Sequence, residues 1–364
     1  MDGEKTDHNN SSMSHLSVAL TTTEETGITQ GDVITSGASR GIKFYFQLFV
    51  LITGVIGTAA NGLILYALVA SKQHKKHVLI VHQNVLDLFS CFFLVTVYSV
   101  HLCNVYLTGS TGYWLCTLFL NDRIIWLLSH GSIINLALIS VDRYLKVVHP
   151  VWSKKNLRSW MICSAMAFAW IGPVVDQVVT ATVLNTTVII GTCYYYVVIK
   201  DVSAKLFYDL SYFLFRYVII LLIFIFCYGR ILVAVRRQAR VMAGHIATGS
   251  VQTTSNKIQT SVVQTMIFVC AFYAILWLPH HIIFLLLRLY PYLVKRLTTS
   301  YYATLFLAFL YISANPLIYS IKFDPVKQVL IRMIYCNKTS QQVTERDATP
   351  RTGTLPMRTL RSQN

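Results

Sequence analysis

Residues 116–150 read CTLFLNDRIIWLLSHGSIINLALISVDRYLKVVHP, an apolar stretch with Cys116 at one end and Asp142-Arg143-Tyr144, then Pro150, at the other. From Cys116 to Arg143 is 27 residue steps. As an α-helix at roughly 1.5 Å per residue that is about 40 Å, enough to cross a hydrocarbon core of about 30 Å. The cysteine and the arginine therefore fall on opposite sides of a membrane.

The rest of the chain agrees. Hydrophobic residues make up 54% and charged residues 13%, with a mean hydropathy of +0.53, a balance that marks an integral membrane protein. The net charge of +16 is not read as nucleic-acid binding, because the basic residues sit between apolar spans rather than in a cluster with interleaved aromatics. Seven stretches are long and apolar enough to span, roughly 44–70, 78–102, 116–147, 160–184, 207–235, 260–288 and 299–321. Lipid offers the backbone no hydrogen bonds, so the spans must be helices in a closed bundle. The fold class is an all-α membrane protein, a seven-transmembrane helix bundle with a short amphipathic eighth helix over 323–336. In that last segment Lys327 and Arg332 alternate with Val326, Val329, Leu330 and Ile334. Flanking this body, 1–43 reads as a disordered extracellular tail without an apolar leader and 337–364 as a disordered cytoplasmic tail.

Basic residues set the orientation. Most of the 31 Lys and Arg lie on the side of Arg143, including Lys72, Lys75, Lys76, Lys154, Lys155, Arg236, Arg237 and Lys327. That side is expected to be cytoplasmic and the amino terminus extracellular. Asn9, Asn10 and Asn185, each opening an N-x-S/T triplet, then fall outside as glycosylation candidates. Cys116 and Cys193 also fall outside, where an oxidising compartment permits a disulfide. Between spans four and five, Thr192-Cys193-Tyr194-Tyr195-Tyr196-Val197-Val198-Ile199 reads as part of a hairpin pinned to the third span by those cysteines.

Polar residues inside the spans carry the functional information. Asn61, Asp87, Ser132 and Asn315 sit in spans one, two, three and seven. A carboxylate with amide and hydroxyl partners suits either a monovalent cation on oxygen ligands or a hydrogen-bond network without an ion. Arg143, next to Asp142, is either a structural ion pair or a switch that trades partners as helices move. Pro279 and Pro316 each remove an intrahelical hydrogen bond, so spans six and seven are expected to be kinked.

Together these residues resemble the rhodopsin-like (class A) G-protein-coupled receptors over about 44–336. Gly57 with Asn61, Asp87, Asp142-Arg143-Tyr144 with Pro150, Trp170, Trp277-Leu278-Pro279 and Asn315-Pro316-Leu317-Ile318-Tyr319 stand in the family's order, and Cys336 stands at its palmitoylation position. The resemblance implies a plasma-membrane receptor, not an enzyme. It binds an extracellular peptide or small molecule, with no cofactor beyond an allosteric sodium ion at Asp87, Ser132 and Asn315. Heterotrimeric G proteins would be activated by rearrangement of Arg143, Tyr228 and Tyr319, with Val151 entering the G protein. Arrestin would be recruited through a tail containing Thr339, Ser340 and Thr344. A seven-helix transporter or channel is the competing reading and would need a continuous polar path, whereas the charges here gather at the span ends.

The chain also departs from the family pattern. The spacing from Cys116 to Arg143 is two residues longer than usual, so either the cysteine sits higher or the top of the third helix is distorted. Ile220 replaces the fifth-span proline, from which the outer half of that span is expected to lack a bulge. Tyr273 replaces a phenylalanine, and Gln259 stands where some members lock the arginine with an acid, from which basal signalling is expected. Counted back from Arg143, the amine-binding aspartate position is Ile125. Counted forward from Cys116 it is Arg123, and neither supplies a carboxylate. Candidate ligand contacts in the outer half are Arg123, Trp126, Gln177, Arg216, Trp277, His280, His281, Phe284 and Tyr302, with Asp122 and Asp176 nearby. Arg216 is either neutralised by Asp176 or, with His280, meets an acidic ligand group.

Overall fold

The computed structural model describes residues 30–199, 201–243, 250–322 and 326–333. Seven of its helices are long and apolar enough to cross a membrane. Span one runs from Gln30 to Ala70, with its crossing part from Gly41; span two is Val78–Leu102, and span four is Ser159–Val183. Span six is Ser250–Leu289 and span seven is Val294–Lys322, with Pro279 and Pro316 inside them. The first helix thus begins well before the expected start at residue 44. Its polar first turns project beyond the crossing part as a helical extension.

Spans three and five are each interrupted. Span three has a first piece at Gly109–Leu115, a π-helical turn at Cys116–Leu120, and a long piece at Arg123–Val148. Asp122 between them is left-handed, with φ 53°. The two additional residues are absorbed here, so the distorted-helix alternative is the one realised. Because Arg123–Val148 is continuous, the register counted back from Arg143 holds, and Ile125 faces the core with no exposure. Span five comprises Val202–Phe213, a π-helical turn at Leu214–Val218, and Ile219–Ala243. The expectation that this span lacks a bulge was wrong. The Tyr273 hydroxyl of span six donates to the Arg216 carbonyl inside the wide turn at 2.8 Å. Tyr217 within the turn donates to the Ala274 carbonyl at 2.9 Å. Reciprocal tyrosine bonds support the turn where the family usually uses proline.

The bundle buries polar groups along with its apolar core and leaves large apolar side chains on its surface. Asn61, Gln83, Asn84, Asp87, Asn135 and Asn315 have no exposure, whereas Ile56, Ile225, Phe226 and Ile275 are more than half exposed. Such a surface suits lipid, where a buried polar group finds partners only within the protein. Span one packs on spans two and seven, and span three on spans two, four and five. Gly57 permits the first contact: a Cβ there would lie 2.6 Å from both Cys91 Sγ and Ser313 Oγ.

Outside the bundle, β1 (Leu184–Ile189) pairs antiparallel with β2 (Thr192–Val197) in the expected hairpin. A disulfide joins Cys116 to Cys193 with Cα atoms 5.4 Å apart, and the Thr117 and Thr186 hydroxyls meet at 2.8 Å. The hairpin is thereby fixed to the π-helical turn of span three. On the opposite side a short helix, Pro150–Asn156, follows span three. Residues 326–333 are helical after span seven, with Val326 buried.

Candidate functional site

The polar residues fall into three layers, one at each end of the bundle and one in its middle. In the middle layer, spans two, three and seven converge on Asp87. Ser132 Oγ donates to its Oδ1 at 2.6 Å and Asn315 Nδ2 to its Oδ2 at 2.8 Å. The expected trio is therefore together. A fourth residue, Gln83, was missed from the sequence although it lies one helical turn before Asp87 on the same face. Its Nε2 donates to both Asp87 oxygens at 3.3 Å.

At the Arg143 end of the bundle Asp142 is the anchor. It forms an ion pair with Arg143 Nη2 at 3.1 Å and accepts from Lys146 Nζ, at 2.7 and 3.0 Å. Arg143 is almost wholly buried, and the Tyr144 hydroxyl lies 3.2 Å from His149 Nε2. One turn deeper Ser140 contacts the Tyr228 hydroxyl at 3.1 Å and Cys270 Sγ at 3.7 Å, so spans three, five and six are closed against one another here. Val151, just after Pro150, is an apolar side chain 83% exposed. Tyr319 and Gln259 lie in helices whose side chains there fall outside those described. Cys336, Asn9 and Asn10 lie outside the described residues altogether. Asn185 is exposed on β1, where its Oδ1 accepts from the Thr186 N–H at 2.8 Å.

His77, the residue before span two, borders this cluster. Burial first, then the positive charges of Arg143 and Lys146, lower its pKa to about 4, with Asp142 opposing them. The folded protein thus binds fewer protons at His77 than the unfolded chain between the ordinary value of 6.5 and about 4. The stability this contributes is full above pH 6.5 and is lost as pH falls through that window. Thermal unfolding of the purified protein from pH 7 to 4.5 should therefore show a decline in Tm that is shallower in His77→Gln. Equal declines would remove His77 from the cluster's electrostatics.

The outer layer is aromatic and basic. The Trp126 ring is stacked between His130, at 5.8 Å and 24°, and His280, at 5.6 Å and 21°. It lies 6.1 Å from fully buried Trp277. His280 also meets Tyr301 at 5.8 Å and Phe284 at 6.3 Å, and Phe284 meets Tyr212 at 5.3 Å. His281 turns the other way, toward Tyr217 at 5.1 Å and Trp277 at 5.8 Å. Six of the expected contacts thus adjoin one aromatic network: Trp126, Trp277, His280, His281, Phe284 and, through Tyr212, Arg216. Arg123 opens the long piece of span three half-buried, and Gln177 is half-buried on span four beside Asp176. Tyr302 is drawn toward Phe46 of span one at 4.9 Å, so its neighbour Tyr301 supplies the ring against His280.

For Arg216 the pairing alternative is the one realised. Its guanidinium is clamped on Asp176, with Nε to Oδ1 at 3.2 Å and Nη2 to Oδ2. Nη1 donates to His130 Nε2 at 2.9 Å, and the group lies 4.0 Å from the centre of the Tyr212 ring. Arginine offers only donors, so His130 Nε2 accepts and its proton sits on Nδ1, 3.7 Å from Asp176. A second ion pair unforeseen from the sequence joins Arg288 Nε to buried Asp209 Oδ1 at 2.8 Å across spans five and six. Two charges in apolar spans were the available signal.

A family described as "7 transmembrane receptor (rhodopsin family)" matches residues 60–319. The allatostatin-A receptor of Bombyx mori is 24% identical over 328 residues, covering 85% of this chain and 84% of the relative. Galanin receptor type 1 of Rattus norvegicus is 24% identical over 319 residues, covering 81% and 84%. The crystal structure of squid rhodopsin superposes with a TM-score of 0.63 at 17% identity over 86% of this chain and 93% of that one, a likeness of fold. The match covers most of the chain, and these relatives are receptors rather than enzymes. This multi-pass membrane protein belongs to the rhodopsin family of seven-transmembrane receptors.

Proposed function

We propose that the protein is a plasma-membrane receptor, amino terminus outside, that binds an extracellular peptide and activates heterotrimeric G proteins at its Arg143 face. One observation carries the ligand side of this reading. The Trp126, His280 and Phe284 layer lies in the outer half, on the same side as a β-hairpin tethered to span three. Stacked rings with imidazole edges suit an aromatic or aliphatic peptide side chain. The allatostatin-A and galanin receptors, whose names are those of peptides, support the same class of ligand. The paired charges at Arg216–Asp176 and Arg288–Asp209 flank this layer and would set polarity at its rim.

On the inner side, Asp142 holds Arg143 while Cys270 of span six closes on Ser140. Activation would part spans three and six there, freeing Arg143 for the G protein and leaving Val151 as the apolar contact. Ligand free energy enters only as the difference in affinity between closed and open states. The glycans at Asn9, Asn10 and Asn185, the palmitate at Cys336 and arrestin binding to the tail belong to the same reading. The test is a screen of peptides and small metabolites on cells carrying the receptor and a promiscuous G protein. A peptide hit that loses potency at least tenfold in Trp126→Ala, at equal surface expression, is expected. Hits confined to non-peptide metabolites would overturn the ligand class.

A further inference from the structure

The cluster around Asp87 tests whether these residues fit the sodium ion that the family resemblance implies there. A hard cation needs oxygen lone pairs turned toward it. What converges on Asp87 is hydrogen. Ser132 Oγ–H and Asn315 Nδ2 donate to the carboxylate, while Asn315 Oδ1 is buried without a hydrogen-bond partner. Gln83 Nε2 lies between the carboxylate and Ser132, hydrogen-bonded to both.

The orientation of the Gln83 amide follows from a chain of bonds rather than from the placing of its N and O atoms. Trp170 Nε1–H, a donor only, lies 2.9 Å from His82 Nε2, which must accept. The His82 proton is therefore on Nδ1 and is given to Asn135 Oδ1 at 2.9 Å. With its oxygen thus used, Asn135 directs its Nδ2 to Gln83 Oε1 at 2.9 Å and to the Leu79 carbonyl at 3.0 Å. Gln83 is left with only its N–H2 group to turn toward Asp87. A donor at one end and a carboxylate at the other fix every proton between spans four and seven.

We infer that the Gln83 side-chain amide stands in for the monovalent cation at Asp87, so that sodium does not stabilise this receptor or shift its closed state. The amide hydrogens supply part of the positive charge a cation would bring, and the side chain fills its space. Asn135 and His82 are positioning residues, since they act on Asp87 only by holding Gln83. The inference holds whatever the ligand is.

Thermal unfolding of the purified full-length receptor tests it with no ligand at all, in sodium chloride against potassium and choline chloride at constant ionic strength. The wild-type Tm is expected to be the same in all three salts. Gln83→Ala, which removes the amide and opens space beside the carboxylate, should gain a saturable rise specific to sodium. That rise should be about 3–5 °C at sodium tenfold above its dissociation constant, and adding Asp87→Asn should abolish it. Gln83→Ser, which also removes the amide and opens the space, serves as the second variant should the alanine protein not fold. A saturable sodium-specific rise in the wild type would overturn the inference, as would a folded Gln83 variant that ignores sodium.

Discussion

Asp176→Ala is expected to lower stability by roughly 3 kcal/mol, at the low end of the range for breaking a buried ion pair because Asp176 is itself about a third exposed. The cost comes from what remains. Arg216, its side chain 10% exposed, would keep only the neutral His130 nitrogen and the Tyr212 face as partners. Replacing both ends, as in Asp176→Leu with Arg216→Leu, should recover most of the loss, since well-packed apolar side chains need no desolvation. Tm and surface expression check this: a fall of roughly 6–10 °C in the single variant and a much smaller one in the double. If Asp176→Ala kept the wild-type Tm, the clamp would carry no weight. If Arg216→Ala, correctly expressed, lost ligand potency while the double variant remained stable, the arginine would have a ligand role as well.

Cys193→Ser should have a comparable effect at the outer surface. The disulfide closes a loop of sequence separation 77, for which chain entropy alone gives about 4.5 kcal/mol. Spans three and four already confine much of that loop in the bilayer, so this figure is a ceiling. The local consequence is sharper, because β1 and β2 are held on the π-helical turn of span three by this bond and the Thr117–Thr186 contact. Surface expression should fall severalfold, and any protein that reaches the surface should lose ligand response. Normal expression and potency in Cys193→Ser would make the hairpin dispensable.

Which parts of this architecture could be read from the sequence follows from how local their causes are. Span lengths are set by bilayer thickness acting on contiguous residues, so all seven were legible. The Cys116–Cys193 tether was legible for a similar reason, as was the Asp142–Arg143 pair, both being short motifs at the ends of one span. Ile220 gave no sign of the wide turn in span five, because its support comes from Tyr273, 57 residues beyond Arg216. The role of Gln83 was hidden by a different cause. An amide is unremarkable in sequence, and its meaning depends on its neighbour His82 and on Asn135 and Trp170 arriving from two other helices. Arg216 with Asp176 was readable as one of two alternatives, since a charge in an apolar span needs a partner, yet only packing could choose between them.

The central claim, that the closed Arg143 cluster and exposed Val151 form the face that drives a G protein, is tested most directly by guanine-nucleotide exchange. The purified receptor would be reconstituted in lipid with each class of heterotrimer. Exchange above that of the heterotrimer alone is predicted for at least one class even without ligand, given Gln259 where some family members lock the arginine with an acid. Val151→Asp should lower that exchange at least tenfold with the Tm unchanged. No acceleration in any class, or equal acceleration by wild type and Val151→Asp, would contradict the assignment.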